Sequence, residues 1–165
     1  MSSDTAQIVF APPAPAEDLS FTWRYRYKMD PQCRVQCPVE WRPKDPDFEF
    51  MLVIWPHNES NRKAGYIKGL TQDKFRALRA KFLTMQIGDN KTDALRRAIF
   101  GNALKTKLDP SSRFCLPREM CAAVGLEKEV HFDGNGDQFG IWNPKTFDQC
   151  VDAESPLTVD AFNLI

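Results

Sequence analysis

The sequence has no apolar run long enough to cross a membrane and no segment that resembles a signal peptide. Its first 20 residues are polar, acidic and rich in alanine and proline, without a basic start or an apolar stretch. The prolines remove backbone donors, which disfavours regular structure. We therefore expect a cytoplasmic protein that begins with a disordered tail over residues 1–20.

Closely spaced metal ligands are also absent from the sequence. The two histidines, His57 and His131, are far apart, and no two cysteines have the C-x-x-C spacing typical of structural zinc sites. The odd number of cysteines argues against a disulfide framework and favours free thiols in a reducing compartment. We expect no metal site. The five cysteines are Cys33, Cys37, Cys115, Cys121 and Cys150.

Motifs of common enzyme active sites are missing as well: no P-loop, H-E-x-x-H or G-x-S-x-G sequence occurs. Residues 133–137 begin like a calcium loop, but Gln138 stands where that loop needs glycine and Pro144 where it needs glutamate. A hairpin turn fits better. Asp30 and Asp109 are candidate paired acids, but an arginine near each would lower its pKa. We expect no catalysis and no cofactor.

The net charge is zero, yet the charges are unevenly distributed. Residues 61–118 contain 14 Lys/Arg and 4 Asp/Glu, whereas residues 119–165 contain 2 Lys/Arg and 9 Asp/Glu. The basic part could attract an anionic partner. Alternatively, the two parts are solvated surfaces that attract each other, including between subunits.

Strand patterns occur near both ends of the chain. Residues 21–27 alternate aromatic and polar side chains, and residues 48–55 form a second, strongly apolar strand. Residues 129–142 read as a hairpin around a Gly/Asn/Asp turn. The last dozen residues are predicted to form a loosely attached tail.

Helical patterns occupy the middle of the chain. Thr71 is a candidate N-cap of a helix whose apolar face includes Phe75 and Phe82. A second helix is predicted to begin near residues 89–92 and to stop at Gly101. A short third helix is expected over residues 117–125, with proline in its first turn and glycine at its end.

An internal repeat is the most informative feature. Residues 28–40 (K-M-D-P-Q-C-R-V-Q-C-P-V-E) recur 79 residues later at 107–119 (K-L-D-P-S-S-R-F-C-L-P-R-E), with six identities in 13 positions. An Ile-Trp pair follows each copy, at residues 54–55 and 141–142. Neither half is long enough to bury a core alone, so two halves should pair and close a barrel.

We therefore expect an α+β fold, mainly β, in which two halves form a pseudo-symmetric barrel with connecting helices. The expected parts are a first half over 21–70, connecting helices over 71–101, a second half over 102–150, and tails over 1–20 and 151–165.

Each repeat contains an Asp-x-x-x-Arg turn. A short aspartate side chain can cap backbone donors in a tight turn, and the arginine four residues later can pair with it or project outward. If the pair only holds the turn, it has no binding role. If the guanidinium projects outward, it is available to an anionic partner.

These residues resemble the MraZ family, whose halves each carry L-D-x-K-G-R-[ILV]-x-[IV]-P. Residues 29–38 (M-D-P-Q-C-R-V-Q-C-P) and 108–117 (L-D-P-S-S-R-F-C-L-P) follow this pattern. Residues 123–130 (A-V-G-L-E-K-E-V) resemble the family's A-G-L-x-x-x-[VI], and residues 139–142 (F-G-I-W) its [FIL]-E-I-W. The resemblance covers roughly residues 21–148.

The resemblance implies a SpoVT/AbrB-like fold with two swapped-hairpin halves. It also implies a ring-shaped homo-oligomer that regulates transcription, associates with the nucleoid and binds double-stranded DNA. The family's target is a set of short direct repeats upstream of the division and cell-wall gene cluster, which begins with its own gene. Carried over, Arg34 and Arg113 would contact DNA, and Asp30 and Asp109 would orient them.

The sequence departs from the family pattern in both turns. The family's lysine is replaced by Gln32 and Ser111, and its glycine by Cys33 and Ser112. Losing a positive charge from each turn should weaken phosphate binding. Three cations in the first strand could compensate, namely Arg24, Arg26 and Lys28. The alternative is a structural or protein-interaction member of the same fold that has lost DNA binding.

Overall fold

The computed structural model describes residues 17–56, 65–85, 88 and 90–165. Most of the predicted N-terminal tail, His57 and Asp89 lie outside these residues. The first part of the chain contains β1 (Arg24–Lys28), β2 (Arg34–Gln36), β3 (Glu49–Trp55), β4 (Tyr66–Thr71), α1 (Gln72–Leu83) and α2 (Asn90–Phe100). The second contains β5 (Ala103–Lys107), β6 (Arg113–Cys115), α3 (Arg118–Ala123), β7 (Glu129–Gly134), β8 (Gln138–Trp142) and α4 (Pro144–Ala161).

The strands form one large sheet and one small ribbon, and every pairing is antiparallel. The sheet has six strands in the order β1-β7-β8-β4-β3-β5, and the ribbon pairs β2 with β6. The mixed, mainly β architecture is therefore confirmed. Within the described residues no ladder joins β1 to β5, so barrel closure stays a prediction.

The sequence repeat is matched by a repeat of elements. Strands β5 and β6 start at residues 103 and 113, each 79 residues after β1 and β2. Pairing crosses between the two copies: β1 pairs with β7, β5 with β3, and β2 with β6. At matching places Lys28 lies opposite Glu129 and Lys107 opposite Glu49. This pattern indicates an approximate twofold symmetry axis that relates the two copies and passes between the paired residues Val35 and Phe114.

The main core lies between the sheet and the ribbon. Phe114 of the ribbon contacts rings from three sheet strands, with centroid distances of 5.5 to 6.0 Å. Trp41 is buried in the same cluster, and its indole N–H donates to the Thr22 carbonyl at 3.0 Å. The core aromatics are Phe21, Trp41, Phe50, Phe114, Phe132 and Phe139. Such rings remove large apolar areas from water.

Helices cover the outer face of the sheet. The α1 N-cap is confirmed, because the Thr71 hydroxyl accepts the Lys74 N–H at 3.2 Å. Phe82 of α1 and Ile99 of α2 are buried against Met51 and Val53 of β3. Both predicted central helices are therefore present, at Gln72–Leu83 and Asn90–Phe100.

Helix α4 corrects the predicted C-terminal tail, because it continues to Ala161. Asn143 caps it by accepting the N–H groups of Lys145 and Thr146, and Pro144 occupies its first turn. Phe147 and Cys150 pack against Trp142 of β8. Pro156 lies inside the helix. Among the described residues, no helix is long and apolar enough to span a membrane.

Candidate nucleic-acid interface

The two Asp-x-x-x-Arg turns have the same hydrogen bonds. Asp30 Oδ1 accepts the backbone N–H groups of Gln32 and Arg34, both at 2.9 Å, and Oδ2 accepts Arg34 Nε at 2.7 Å. In the second turn, Asp109 Oδ1 accepts the N–H groups of Ser111 and Arg113, also at 2.9 Å. Its Oδ2 accepts Arg113 Nε at 2.8 Å.

These bonds keep both aspartates charged at neutral pH. The pKa of Asp30 is lowered chiefly by the backbone hydrogen bond from Arg34. Partial burial raises the pKa of Asp109, but the hydrogen bonds from Arg113 and Ser111 together outweigh it, so the net shift is also downward. Each turn is therefore a fixed pair of opposite charges with no net charge of its own.

The ribbon places both arginines on one outer surface. Side chains alternate across a strand, and Val35 and Phe114 point into the core. Arg34 and Arg113 consequently point away from it, on neighbouring strands. Their side chains are 36% and 28% exposed. Each aspartate accepts the Nε–H of its arginine. Arg34 Nη2 also donates to the Gln32 side chain.

Two further arginines flank this surface, and the sequence analysis missed both. Arg42 Nη2 donates to Gln36 Oε1 of the ribbon at 3.0 Å. Arg118 Nη2 donates to the Pro31 carbonyl of the first turn at 3.2 Å. Both follow the repeat's second proline by one to four residues, where a helical turn brings the chain back to the ribbon. A cation shortly after the second proline of each repeat is therefore the sequence signal that could have identified these two arginines.

Arg24 and Arg26, which the sequence analysis named as possible compensation for the missing lysines, do not lie on this surface. Tyr25 and Tyr27 of β1 pack against the main core, so the arginines that alternate with them face the opposite side of the sheet. Arg24 Nε lies 3.3 Å from Asp133 Oδ1.

Arg26 reaches towards α4. Its Nη2 lies 2.6 Å from Asp148 Oδ1, and its Nε donates to His131 Nδ1 at 3.1 Å. Lys28 is exposed at the end of β1, directly before the first turn. By the alternation of β1, its side chain lies on the same face of the strand as Arg24 and Arg26.

The described ranges contain neither a metal-binding group of side chains nor a cysteine activated as a nucleophile. No group of three or more His, Cys, Asp or Glu side chains there is arranged to hold a metal ion. Four of the cysteines are buried and Cys115 is exposed, and all five are free thiols. Burial raises the pKa of Cys37 and of Cys121 to about 12, which disfavours the nucleophilic thiolate.

Comparison of the sequence with known proteins points to one family. The family model described as "MraZ protein, putative antitoxin-like" matches residues 99–161, the region that holds the second turn and α4. The chain is a relative of the MraZ proteins. It is 27% identical over 150 residues to "Transcriptional regulator MraZ" of Ruegeria sp. (strain TM1040), covering 85% of this chain and 87% of that protein.

Other MraZ relatives extend the similarity into the first half. "Transcriptional regulator MraZ" of Rickettsia rickettsii (strain Sheila Smith) is 28% identical over 134 residues, covering 81% of this chain and 87% of its own length. The Leuconostoc mesenteroides protein of the same name is 23% identical over 127 residues, covering 77% and 83%. These spans are too long to fit within one half.

The MraZ turn pattern also explains two unusual backbone conformations. Cys33 and Ser112 stand where the family has glycine, and both have a φ of 60°. This left-handed region costs a residue with a Cβ about 1–2 kcal/mol, whereas glycine enters it freely. The chain thus keeps the glycine conformation of both turns without the glycine.

Proposed function

We propose that this chain is a sequence-specific, DNA-binding transcriptional regulator that contacts double-stranded DNA through the β2–β6 ribbon. One observation carries the proposal: two matching turns present Arg34 and Arg113 at diagonally related positions of the β2–β6 ribbon, on one outer surface. The relatives named as transcriptional regulators support it.

The hydrogen bonding of the turns suits base recognition. A guanidinium reads guanine by donating two hydrogen bonds to O6 and N7 in the major groove. The aspartates hold Nε, so the orientation of each guanidinium is fixed before binding and less entropy is lost. Arg42 and Arg118 lie at the margins, where cations can contact phosphates.

The fold supports a SpoVT/AbrB-like assignment for both halves. We assign residues 21–70 and 102–150 to two swapped-hairpin halves joined by 71–101, because β1 and β5 each pair with a strand of the other copy. A ring-shaped homo-oligomer would present many such ribbons. Linked weak contacts gain strongly from multivalency, which would offset the lysine missing from each turn.

The proposed target is the set of short direct repeats upstream of the chain's own gene, at the head of the division and cell-wall gene cluster. A protein bound there would be nucleoid-associated. Regularly spaced DNA repeats suit a ring that offers identical surfaces at regular intervals.

The test is a fluorescence-anisotropy titration of the full chain against its own upstream DNA at two salt concentrations. The double variant Arg34→Ala/Arg113→Ala should bind at least about tenfold more weakly, since each good arginine–guanine contact is worth about 1–3 kcal/mol. If either arginine also touches a phosphate, its removal should reduce the salt slope by about 1.

The matched control is Arg76→Ala/Arg79→Ala, which removes the same charge from exposed positions of α1. Affinity of this control should stay close to that of the wild type. Unchanged binding by the ribbon variant would rule out the proposed interface. If the wild type forms its oligomer but binds no DNA even at low salt, the structural or protein-interaction function takes its place.

A further inference from the structure

A cavity of about 690 Å³ lies between α4 and the outer face of the six-stranded sheet. Tyr66 of β4 and Trp142 of β8 line it, whereas their neighbours Ile67 and Ile141 are buried in the main core. Because side chains alternate across a strand, the cavity is on the opposite side of the sheet from the ribbon. Its volume lies within the range of about 300–1,000 Å³ that is typical of small-molecule sites.

Aromatic rings form much of the wall of this cavity. Tyr66 and Trp142 are stacked, with ring centroids 4.1 Å apart and an interplanar angle of 7°. Phe147 of α4 meets Trp142 edge to face, with ring centroids 5.6 Å apart. Trp142 can take this position because Gly140 has no side chain, since a Cβ there would lie 2.4 Å from Trp142 Nε1. Gly140 stands at the glutamate position of the MraZ pattern, so a departure from that pattern shapes the cavity.

Trp23 lines the same cavity in a strained backbone conformation. Its φ is 74°, in the left-handed region that favours glycine, and its side chain is 76% exposed. Backbone hydrogen bonds hold this segment, because Gly134 N–H donates to the Trp23 carbonyl at 2.9 Å and Gly136 N–H to the Phe21 carbonyl at 2.8 Å. Strain that leaves a large aromatic ring in solvent gains little packing, and strained residues cluster at ligand-binding positions.

The cavity also has a surplus of negative charge. Three charged side chains line it, namely Arg24, Asp133 and Glu154. Arg24 Nε pairs with Asp133 Oδ1 at 3.3 Å, which leaves the carboxylate of Glu154 as the surplus. The Cys150 thiol, a neutral donor, hydrogen-bonds to Glu154. Burial raises the pKa of the Tyr66 hydroxyl to about 12, and Asp133 and Glu154 are among the groups that contribute. A further anion inside the cavity is therefore disfavoured.

We propose that this cavity binds a small organic monocation, with its ammonium group beside Glu154 and its apolar body against the indole rings of Trp23 and Trp142. An ammonium group has three N–H donors and no acceptor, which suits a carboxylate, and aromatic faces attract it as well. The Arg24 guanidinium already lies 5.0 Å from the centroid of the Phe147 ring. The site goes beyond DNA binding and does not depend on it.

The test is isothermal titration calorimetry of the full chain with benzylammonium, and with benzyl alcohol as an uncharged ligand of similar size. The wild type should bind benzylammonium at least about tenfold more tightly than benzyl alcohol, because ion pairing and the attraction to the rings act together. In NMR spectra, the indole N–H signals of Trp23 and Trp142 should shift on binding. The signal of Trp55, which does not line the cavity, should not.

Two charge variants should change the affinity in opposite directions. Glu154→Gln keeps the shape of the side chain but removes the surplus charge, and should weaken benzylammonium binding about two- to fivefold. Arg24→Gln removes the competing cation and should strengthen binding by a similar factor. Asp152→Asn is the matched control, because it removes the same charge from an exposed residue of α4 that does not line the cavity. Its affinity should equal that of the wild type.

Trp23→Gly tests the strained residue. The variant should bind benzylammonium about two- to fivefold more weakly, because one aromatic face is lost. Its midpoint of thermal unfolding should not fall, since glycine takes a φ of 74° without strain and the lost ring is exposed. A lower midpoint would assign Trp23 to the fold rather than to the ligand, and would overturn its role in the site.

The proposal fails if the wild type binds benzylammonium no more tightly than benzyl alcohol, or if Glu154→Gln and Asp152→Asn have the same effect. The DNA-binding proposal is scored separately. Arg34→Ala/Arg113→Ala should bind benzylammonium as the wild type does, because the ribbon lies across the sheet from the cavity, while its DNA binding weakens. Failure of the cation site and failure of DNA binding are therefore distinguishable outcomes.

Discussion

At the scale of single residues, the two turns are a matched pair in different surroundings. Cys33 and Ser112 share a φ of 60°, but Cys33 is buried in the main core and Ser112 is partly exposed. The backbone strain is therefore the same in both turns. The consequence of removing the side chain differs, because only the Cys33 side chain is packed in the core.

We predict that Ser112→Gly stabilises the protein by about 0.5–1 kcal/mol. Relief of the left-handed strain, about 1–2 kcal/mol, exceeds the extra entropy that glycine loses on folding, about 0.5–1 kcal/mol. Cys33→Gly should be less stabilising or destabilising, since it also removes a buried thiol. Urea unfolding of the three proteins measures this. A destabilised Ser112→Gly variant would show that the hydroxyl matters more than the backbone.

His131 is a second residue whose surroundings decide its chemistry. It stacks on Phe147 at 3.8 Å and accepts the Arg26 guanidinium N–H at Nδ1. Burial lowers its pKa to about 4, with further lowering by Arg26 and Arg24 and partial opposition from Asp148. A neutral ring is therefore the folded form, and protonation favours the unfolded chain.

Stability should consequently decrease as pH falls from about 6.5 to about 4. In this window the unfolded chain binds a proton at this histidine and the folded chain does not. Above pH 6.5 the contribution is constant. We predict that His131→Gln, which keeps an acceptor for Arg26, flattens the pH dependence of the unfolding free energy across this window. If the unfolding free energy of the variant depended on pH as steeply as that of the wild type, another titrating group would be responsible for the pH dependence.

At the scale of elements, α4 shows how a local signal can mislead. Pro156 lacks the N–H that would reach the carbonyl of Asp152, and its ring crowds that carbonyl. Such a residue normally interrupts or ends a helix. The helix nevertheless continues to Ala161, since Asn143 and Pro144 start it well and Phe147 and Cys150 fix its first turns.

We predict that Pro156→Ala stabilises the exposed end of α4 locally, by up to about 3 kcal/mol. Hydrogen exchange of the amides of residues 153–161 measures this, and their protection should increase. The midpoint of global unfolding should change little, because the residues of this end are exposed rather than packed in a core. Unchanged exchange would mean that the helix already tolerates the proline at no cost.

At the scale of the whole molecule, the two halves are interleaved rather than adjacent. Each outer strand of one copy completes the sheet of the other, and Phe114 packs against Phe50, Phe132 and Phe139 from both. Neither half can therefore keep its core without its partner. Unfolding should be cooperative across the whole chain.

We predict that Phe114→Ala lowers the free energy of unfolding by about 3–5 kcal/mol, because it removes buried apolar area and leaves a central cavity. Val35→Ala, at the matching position of the first turn, removes a smaller side chain and should cost less. Denaturant unfolding followed by fluorescence and by circular dichroism should give coincident transitions in both. Two separate transitions would show that the halves fold independently.

The sequence by itself determined the features whose interactions span a few residues. The repeat was readable by direct comparison of two stretches of sequence. The two Asp-Arg turns, the Thr71 cap and the central helices were readable because each depends on partners within about four positions. The alternation of β1 likewise predicted that Arg24 and Arg26 share a face.

Only the tertiary structure decided on which outer surface of the protein each face of a strand lies. Arg24 and Arg26 lie across the sheet from the ribbon because Tyr25 and Tyr27 take the core side. Arg42 and Arg118 join the ribbon because helical turns return them to it. The pairing of β1 with β7, for example, joins residues about 100 positions apart. Such contacts follow from the packing of the whole chain, which no local pattern encodes.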